Sequence, residues 1–218
     1  MIVLTTARVA FFIFGGMKVT GRENIPKSGP VILAPNHISH ADPPAVACAA
    51  NRDFLFMAKE ELFRGLFGRL IFSVGSFPVK RGSNDTESIR KAITLLERGS
   101  ALVVFPEGSR GDGVKMGTLN KGVALLAKKT GAKIVPVGIN GTQKLLPKGS
   151  RKMKRAKTLV HFGEPFLFED AGPQGGKVTS EMFTQYLAQK VLAAAKEVGL
   201  SLEGPTPGTL ETDAVADL

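Results

Sequence analysis

Short apolar runs alternate with stretches of helical spacing along most of the chain. Val31–Pro35, Phe54–Met57, Phe72–Val79, Ala101–Phe105, Ile134–Ile139 and Thr158–Phe162 read as strands. Between them, Glu87–Arg98 places Ile89, Ala92, Ile93 and Leu96 at i, i+3, i+4 and i+7, with Asn84 or Asp85 to cap its start and Gly99 to end it. Leu119–Thr130 repeats the arrangement through Leu119, Val123, Leu126 and Ala127 and closes at Gly131. Ser180–Val198 is a last helix before Gly199. Strand-helix alternation of this kind predicts an α/β domain. No internal repeat or linker divides residues 20–200.

Two apolar stretches stand apart. In Glu60–Phe72, Leu62, Phe63, Leu66, Phe67, Leu70 and Ile71 form a broad stripe with Arg64 and Arg69 outside it. That pattern suits a core-facing helix, or one that lines an apolar groove or rests on lipid. Residues 2–17 form the most hydrophobic terminal run, too short for the roughly 20 residues that cross a bilayer. Arg8 lies inside the run, not before it, and no small-x-small cleavage site follows, which argues against a signal peptide. The pattern admits a buried helix or one that dips into a leaflet with Arg8 and Lys18 at headgroup level.

Charge narrows the class of partner. The 218 residues hold 29 Lys and Arg against 19 Asp and Glu, a formal charge of +10 and a pI near 9.9. Segment 201–218 holds Glu203, Glu211, Asp213 and Asp217 and no basic residue, so it reads as a mobile acidic tail. Residues 1–200 then carry 29 basic against 15 acidic side chains, or +14. An anionic partner follows: nucleic acid, an anionic membrane surface or a phosphorylated substrate. Nucleic acid fits poorly, since Trp is absent, Tyr186 is the only tyrosine and the basic run Lys144–Lys157 has no aromatic to stack on a base. That run fits an anionic leaflet, the phosphates of CoA or an acidic carrier protein. A single cysteine, Cys48, excludes internal disulfides and multi-cysteine metal sites, and three histidines leave little for zinc.

Candidate chemistry sits directly after the strand Val31–Pro35, in Asn36-His37-Ile38-Ser39-His40-Ala41-Asp42. On a continuous helix His37 and Asp42 would lie about 140° apart and would not meet. They meet if the chain leaves a strand at His37 and enters a helix at Asp42, and Pro43 and Pro44 mark such a helix start. Asp42 is then expected to cap its helix with one oxygen and hold the His37 ring with the other. The far ring nitrogen is left to accept a proton, the geometry of an oriented general base. Alone the spacing is weak, arising by chance about one time in ten at this composition.

Three further blocks follow: Gly75-Ser76-Phe77-Pro78-Val79-Lys80-Arg81-Gly82, Phe105-Pro106-Glu107-Gly108-Ser109-Arg110, and Ile134-Val135-Pro136-Val137-Gly138-Ile139, whose proline suits an edge or a bulge. In order and spacing the four blocks resemble those of the glycerolipid acyltransferases typified by 1-acylglycerol-3-phosphate acyltransferase. The resemblance runs from about Val19 to Pro165, taking in Asn120–Ala124 and Phe162–Pro165. One block departs from it: Phe-Pro-Val-Lys-Arg stands where many members have a more aliphatic centre, which bears on the acceptor and not on the reaction.

The resemblance implies a central mixed sheet flanked by helices, with an N-terminal apolar helix. It implies three segments: a membrane-associating helix at 1–18, an acyltransferase domain at 19–200 and the acidic tail at 201–218. His37 would be the base and Asp42 its orienting partner. The reaction would move an acyl group from acyl-CoA or acyl-carrier protein to the free hydroxyl of 1-acylglycerol-3-phosphate, giving phosphatidic acid without an acyl-enzyme, cofactor or metal. The missing Gly-x-Ser-x-Gly elbow agrees with this. Arg81 and Arg110 resemble the family's phosphate-binding arginines, with Lys80 to assist. A guanidinium fork suits phosphate oxygens. Glu107 and Gly108 match the family's Glu-Gly, Glu107 either binding the acceptor or holding Arg110 and loop amides. The implied place is peripheral or monotopic, on the cytoplasmic face of the cell membrane, with lysophospholipid and membrane lipid as partners. The alternatives are an acyltransferase for another lysolipid or an amino-lipid, and a non-catalytic basic membrane-binding protein of the same fold.

Overall fold

In the computed structural model, residues 2–59, 75–79, 86–150, 152–173 and 175–205 are described. The helix expected at 60–72, together with Lys80 and Arg81, lies outside them.

Val31–Pro35 forms β2, and all five of its residues are buried. A strand buried on both faces belongs in the middle of a sheet covered on both sides, which is why this segment reads as an unbroken apolar run. Its neighbours are β5 (Ala101–Val103) and β6 (Lys133–Asn140), both parallel to it. Beyond β5 lie β3 (Leu55–Lys59) and β4 (Ser76–Val79), and beyond β6 lie β7 (Thr158–Phe162) and β1 (Met17–Thr20). The order is β1-β7-β6-β2-β5-β3-β4, and among the described residues the β6–β7 pair alone is antiparallel, so the sheet is mixed.

Alternation along the central strands sorts their side chains to two faces. Val31, Leu33, Val135 and Val137 pack with Phe11 of α1 (Ile2–Ile13) and with Ala45, Val46 and Ala49 of α2 (Asp42–Ala49). Ile32, Ala34, Leu102 and Ile134 face the other layer, made of α3 (Thr86–Glu97), α4 (Gly122–Thr130) and α6 (Ser180–Glu197). Leu96, Leu126, Phe183, Leu187 and Val191 fill that side. Truncating one such buried leucine costs about 2–5 kcal/mol. Gly138 lets α6 lie directly on β6: a Cβ there would sit 1.9 Å from the Ala194 carbonyl oxygen.

Residues 72–74 of one expected strand and the expected caps Asn84 and Asp85 also lie outside the described residues; within them, the other expected strands and helices form, with shifted ends. Residues 2–17 contain a helix only to Ile13; Gly15 and Gly16 turn the chain, and Met17–Thr20 becomes edge strand β1. Lys18 therefore belongs to the sheet, paired beside Leu159. Pro136 lies in an interior strand and not at an edge, and the alternative, a bulge, accounts for it. The β6–β7 ladder runs to Val137 and Phe162 and resumes at Ile134 with Phe166, so two residues of one chain face three of the other. The missing N–H of Pro136 falls in that gap. Beyond α6, Glu203 N–H donates to Val114 O at 2.8 Å, and Met116 N–H donates to Glu203 O at 3.0 Å. The segment expected to be mobile thus begins with residues held against the domain.

Candidate active site

Parallel strands end at the same edge of a sheet, and the loops that follow them meet there. At this edge β2 delivers His37, the chain after β5 delivers Phe105 and Glu107, and β6 delivers Thr142, the first residue of a one-turn helix, α5 (Thr142–Leu145). Asn36 ties two of the strand ends together. Its side-chain amide donates to Ile139 O at 3.1 Å and accepts from Ile139 N–H at 2.7 Å, as a strand residue's backbone would. The side chain is wholly buried, so both bonds form without competition from water.

His37 and Asp42 meet. The His37 Nδ1–H donates to Asp42 Oδ2 at 2.9 Å. The same oxygen accepts from Ile38 N–H and Ser39 N–H, each at 2.7 Å. Thr142 Oγ1–H donates to Oδ1 at 2.6 Å. Asp42 is fully buried and surrounded by donors, so it acts as an acceptor. That assigns the proton to Nδ1 and leaves Nε2 as the acceptor nitrogen of the ring. The His37 side chain keeps 16% of its surface exposed against 0% for Asp42, so the ring is reachable and its partner is not. Its face lies on Phe105, ring centroids 4.2 Å apart.

This corrects the expectation that one oxygen of Asp42 caps its own helix. Asp42 is the first residue of α2, and its carboxylate bonds backward, to the loop that carries His37. Pro43 and Pro44 have no N–H to offer at the first turn, so the carboxylate is available to the loop.

Glu107 acts on the same loop. Oε1 accepts from His37 N–H and Oε2 from Gly117 N–H, both at 2.9 Å. Burial pushes the Glu107 carboxyl above its usual range, opposed in part by the two amides. Of the two readings for Glu107, the one in which it holds loop amides matches this geometry. Gly108 sits beside it at φ 63°, in the left-handed region that glycine adopts without strain.

Arg110 lines an open cleft of about 410 Å³ with Gly111, Lys115, Gly117 and Lys148. The cleft adjoins the histidine through its wall, since Gly111 N–H donates to His37 O at 2.8 Å. Among the described residues three cations line it against one carboxylate, Asp112. Asp112 is held low by the backbone N–H groups of Lys115 and Val114, so it stays an anion fixed in its own turn. Cys48 is buried between α2 and α1, with Leu4 O 3.9 Å from Sγ, and burial pushes its thiol up, away from a nucleophilic thiolate. His161 pairs with Thr20 across the β1–β7 edge.

His37, Glu107, Gly108 and Arg110 lie on these strand-end loops and Asp42 opens α2 beside them; side-chain bonds link His37, Asp42 and Glu107. Asn36, Phe105 and Thr142 join them without having been singled out as site residues. Gly141, breaking the pattern at the end of an apolar strand, was the one mark that something turns there.

Residues 16–140 match the family model named Acyltransferase, and the chain belongs to that family. It is 30% identical over 148 residues to a chloroplastic 1-acyl-sn-glycerol-3-phosphate acyltransferase of Arabidopsis thaliana, which covers 66% of this chain and 41% of that one. A 1-acyl-sn-glycerol-3-phosphate acyltransferase of Bacillus subtilis is 27% identical over 186 residues, 84% of this chain and 90% of that one. The chain thus spans less than half of the plant relative and most of the bacterial one. The crystal structure of the 1-acyl-sn-glycerophosphate acyltransferase of Thermotoga maritima superposes with a TM-score of 0.76 at 30% identity, over 90% of this chain and 78% of that one.

Proposed function

We propose that this member of the acyltransferase family moves an acyl group from acyl-CoA or acyl-carrier protein to the free hydroxyl of 1-acylglycerol-3-phosphate, giving phosphatidic acid. The observation that carries the reading is the His37–Asp42 pair, 2.9 Å apart, with Asp42 buried and the ring reachable. Nε2 of His37 takes the hydroxyl proton as the acceptor oxygen attacks the thioester carbonyl. The tetrahedral intermediate collapses with loss of the C–S bond, and the proton passes from Nε2 to the departing thiolate. One C–O bond forms, one C–S bond breaks, and His37 returns to its starting state. Asp42 stabilises the imidazolium that forms in between. A positioned base of this kind contributes about 100- to 10,000-fold in rate.

The cleft beside His37 supports Arg110 as a contact for the acceptor phosphate, with Lys80 and Arg81 assigned the same task from the resemblance. Glu107 holds the backbone of His37, and Gly108 leaves room for close approach of a ligand.

We further assign residues 1–18, the segment that contains α1, to the membrane surface, residues 19–200 to catalysis and the remainder to an acidic tail. Among the described residues no helix is long and apolar enough to cross a membrane. Helix α1 leaves Val9, Phe12 and Ile13 at 51%, 81% and 62% exposure on its outer side. Ala156 N–H donates to Phe14 O at 2.7 Å, which joins the basic loop with its exposed Lys152, Met153, Lys154 and Arg155 to the end of that helix. Apolar side chains beside cations suit an anionic leaflet, each cation being worth about 1 kcal/mol near the surface. The cytoplasmic face is the side this assigns.

The test is thiol release from a long-chain acyl-CoA, then from acyl-carrier protein, with 1-acylglycerol-3-phosphate, glycerol-3-phosphate or no acceptor. Release that requires the lysophosphatidate and disappears in folded His37→Ala is the expected result. Equal release by His37→Ala rejects the mechanism. Silence with both donors moves the assignment to another lysolipid acceptor or to a binding role.

A further inference from the structure

Thr142 has no part in the chemistry described so far. It lies 100 positions after Asp42, is fully buried, and its hydroxyl donates to Asp42 Oδ1 at 2.6 Å. Among the described residues no other donor reaches that oxygen, whereas Oδ2 takes three N–H groups. We infer that Thr142 is a positioning residue for the base: its hydroxyl anchors the Asp42 carboxylate so that Oδ2 stays on Nδ1 of His37. The inference rests on the acyl-transfer reading of His37.

The physical reason is the state of Oδ1 without that hydroxyl. A buried carboxylate oxygen with no donor is costly, and the group relieves the cost by rotating toward another donor or by taking a proton. Either response weakens the bond that fixes the His37 tautomer. The backbone that carries the hydroxyl is tied to its neighbours on both sides. Pro35 and Val137 are paired across β2 and β6, and Asn36 clasps both backbone groups of Ile139. Gly141 then turns at φ 88°, so close to Lys157 O that a Cβ would lie 2.0 Å from it. The strand that neighbours the histidine's own strand thus places the hydroxyl, and threonine adds a stiff χ1.

Thr142→Val and Thr142→Ser in the full chain test this. One readout is kcat and KM for transfer from acyl-CoA to 1-acylglycerol-3-phosphate. Valine is expected to lower kcat about ten- to a hundredfold, the loss that follows a hydrogen bond to a charged group, with KM little changed. Serine is expected to restore most of kcat. The other readout needs no turnover: the nitrogen-15 ring signals of His37 in histidine-labelled protein, assigned with His37→Gln. Wild type and the serine variant should show Nδ1 carrying the proton, and the valine variant a mixture of tautomers. Wild-type kcat in the valine variant overturns the proposal, as does a loss of kcat with His37 ring signals unchanged. Thr142→Cys, which fills the volume and donates weakly, replaces valine if that variant does not fold. If wild type transfers no acyl group at all, the acyl-transfer reading fails by itself, and the ring signals still decide whether Thr142 holds the pair.

Discussion

Replacing Asp42 by asparagine and by alanine separates its charge from its hydrogen bonds. The carboxylate accepts four: the His37 ring, the amides of Ile38 and Ser39, and the Thr142 hydroxyl. Alanine orphans all four donors in a place water does not reach. Full desolvation penalties do not add, and removing a buried charge returns part of the cost. The net expected loss is the roughly 3–5 kcal/mol typical of breaking a buried charged pair. For a chain of this size that lowers the melting temperature by about 6–20 °C. Asparagine behaves differently. Its carbonyl oxygen can take the Oδ2 position and keep the three N–H bonds. Its NH₂ then faces Thr142, whose hydroxyl rotates and accepts instead of donating. The three N–H donors keep a partner, while the Thr142 hydroxyl proton and the second amide hydrogen lose theirs, so Asp42→Asn should cost about 1–3 kcal/mol, less than alanine. What it loses is the negative charge beside the imidazolium that forms as His37 takes the proton. Acyl transfer should therefore fall about a hundredfold or more in the asparagine variant, with KM for the acceptor unchanged. Melting by circular dichroism beside kcat from thiol release reads both quantities on the same preparations. An asparagine variant as unstable as the alanine one would refute the assignment of three N–H bonds to Oδ2. An asparagine variant with wild-type kcat would refute the electrostatic role of Asp42.

Two further expectations follow from other parts of the molecule. Burial holds the Glu107 carboxyl protonated to higher pH than in the unfolded chain, so it contributes stability below the unfolded range near 4.3–4.5 that is lost as pH rises through the folded value. Glu107→Gln removes that slope, so the melting temperature of wild type relative to the variant should fall as pH is raised from 4 to 7; a constant difference would contradict the desolvation argument. Phe12→Asp with Ile13→Asp alters only the outer side of α1, where both side chains are largely exposed. Sedimentation with vesicles containing an anionic phospholipid should drop several-fold while the melting temperature stays within about 2 °C, since exposed positions carry little stability; unchanged sedimentation would remove α1 from the membrane contact.

How far the sequence could be read depended on the range of the interactions involved. Local signals were legible. Short apolar runs marked β2 and β6 as strands, though Pro136 pointed to an edge or a bulge for β6; helical periodicity marked α3, α4 and α6, and a strand followed by histidine, a turn, aspartate and two prolines marked the pair at 37 and 42. The order of strands was not legible, because nothing in a strand's own sequence names its neighbour. Met17–Thr20 has too few apolar residues to announce a strand and becomes one only by pairing with β7. The same limit explains the site. Asp42 looked like a helix cap because capping is the local use of an aspartate before proline. Its actual partners are the loop behind it and a threonine brought in by β6, and only the parallel pairing of β2 with β6 makes that contact possible.

That pairing also explains why the site sits where it does. β5, β2 and β6 are adjacent and parallel, so three loops separated by up to a hundred residues leave the sheet side by side. Each contributes a different component: the reachable ring from β2, the carboxylate that holds its backbone amide from β5, and the hydroxyl that holds its buried partner from β6. His37 is thereby fixed at its ring and at its main chain by groups from separate elements. A substitution in one loop leaves the other restraint in place. Glu107 and Thr142 still join one hydrogen-bond network through His37 and Asp42, so combining Glu107→Gln with Thr142→Val should change kcat by other than the product of their separate effects.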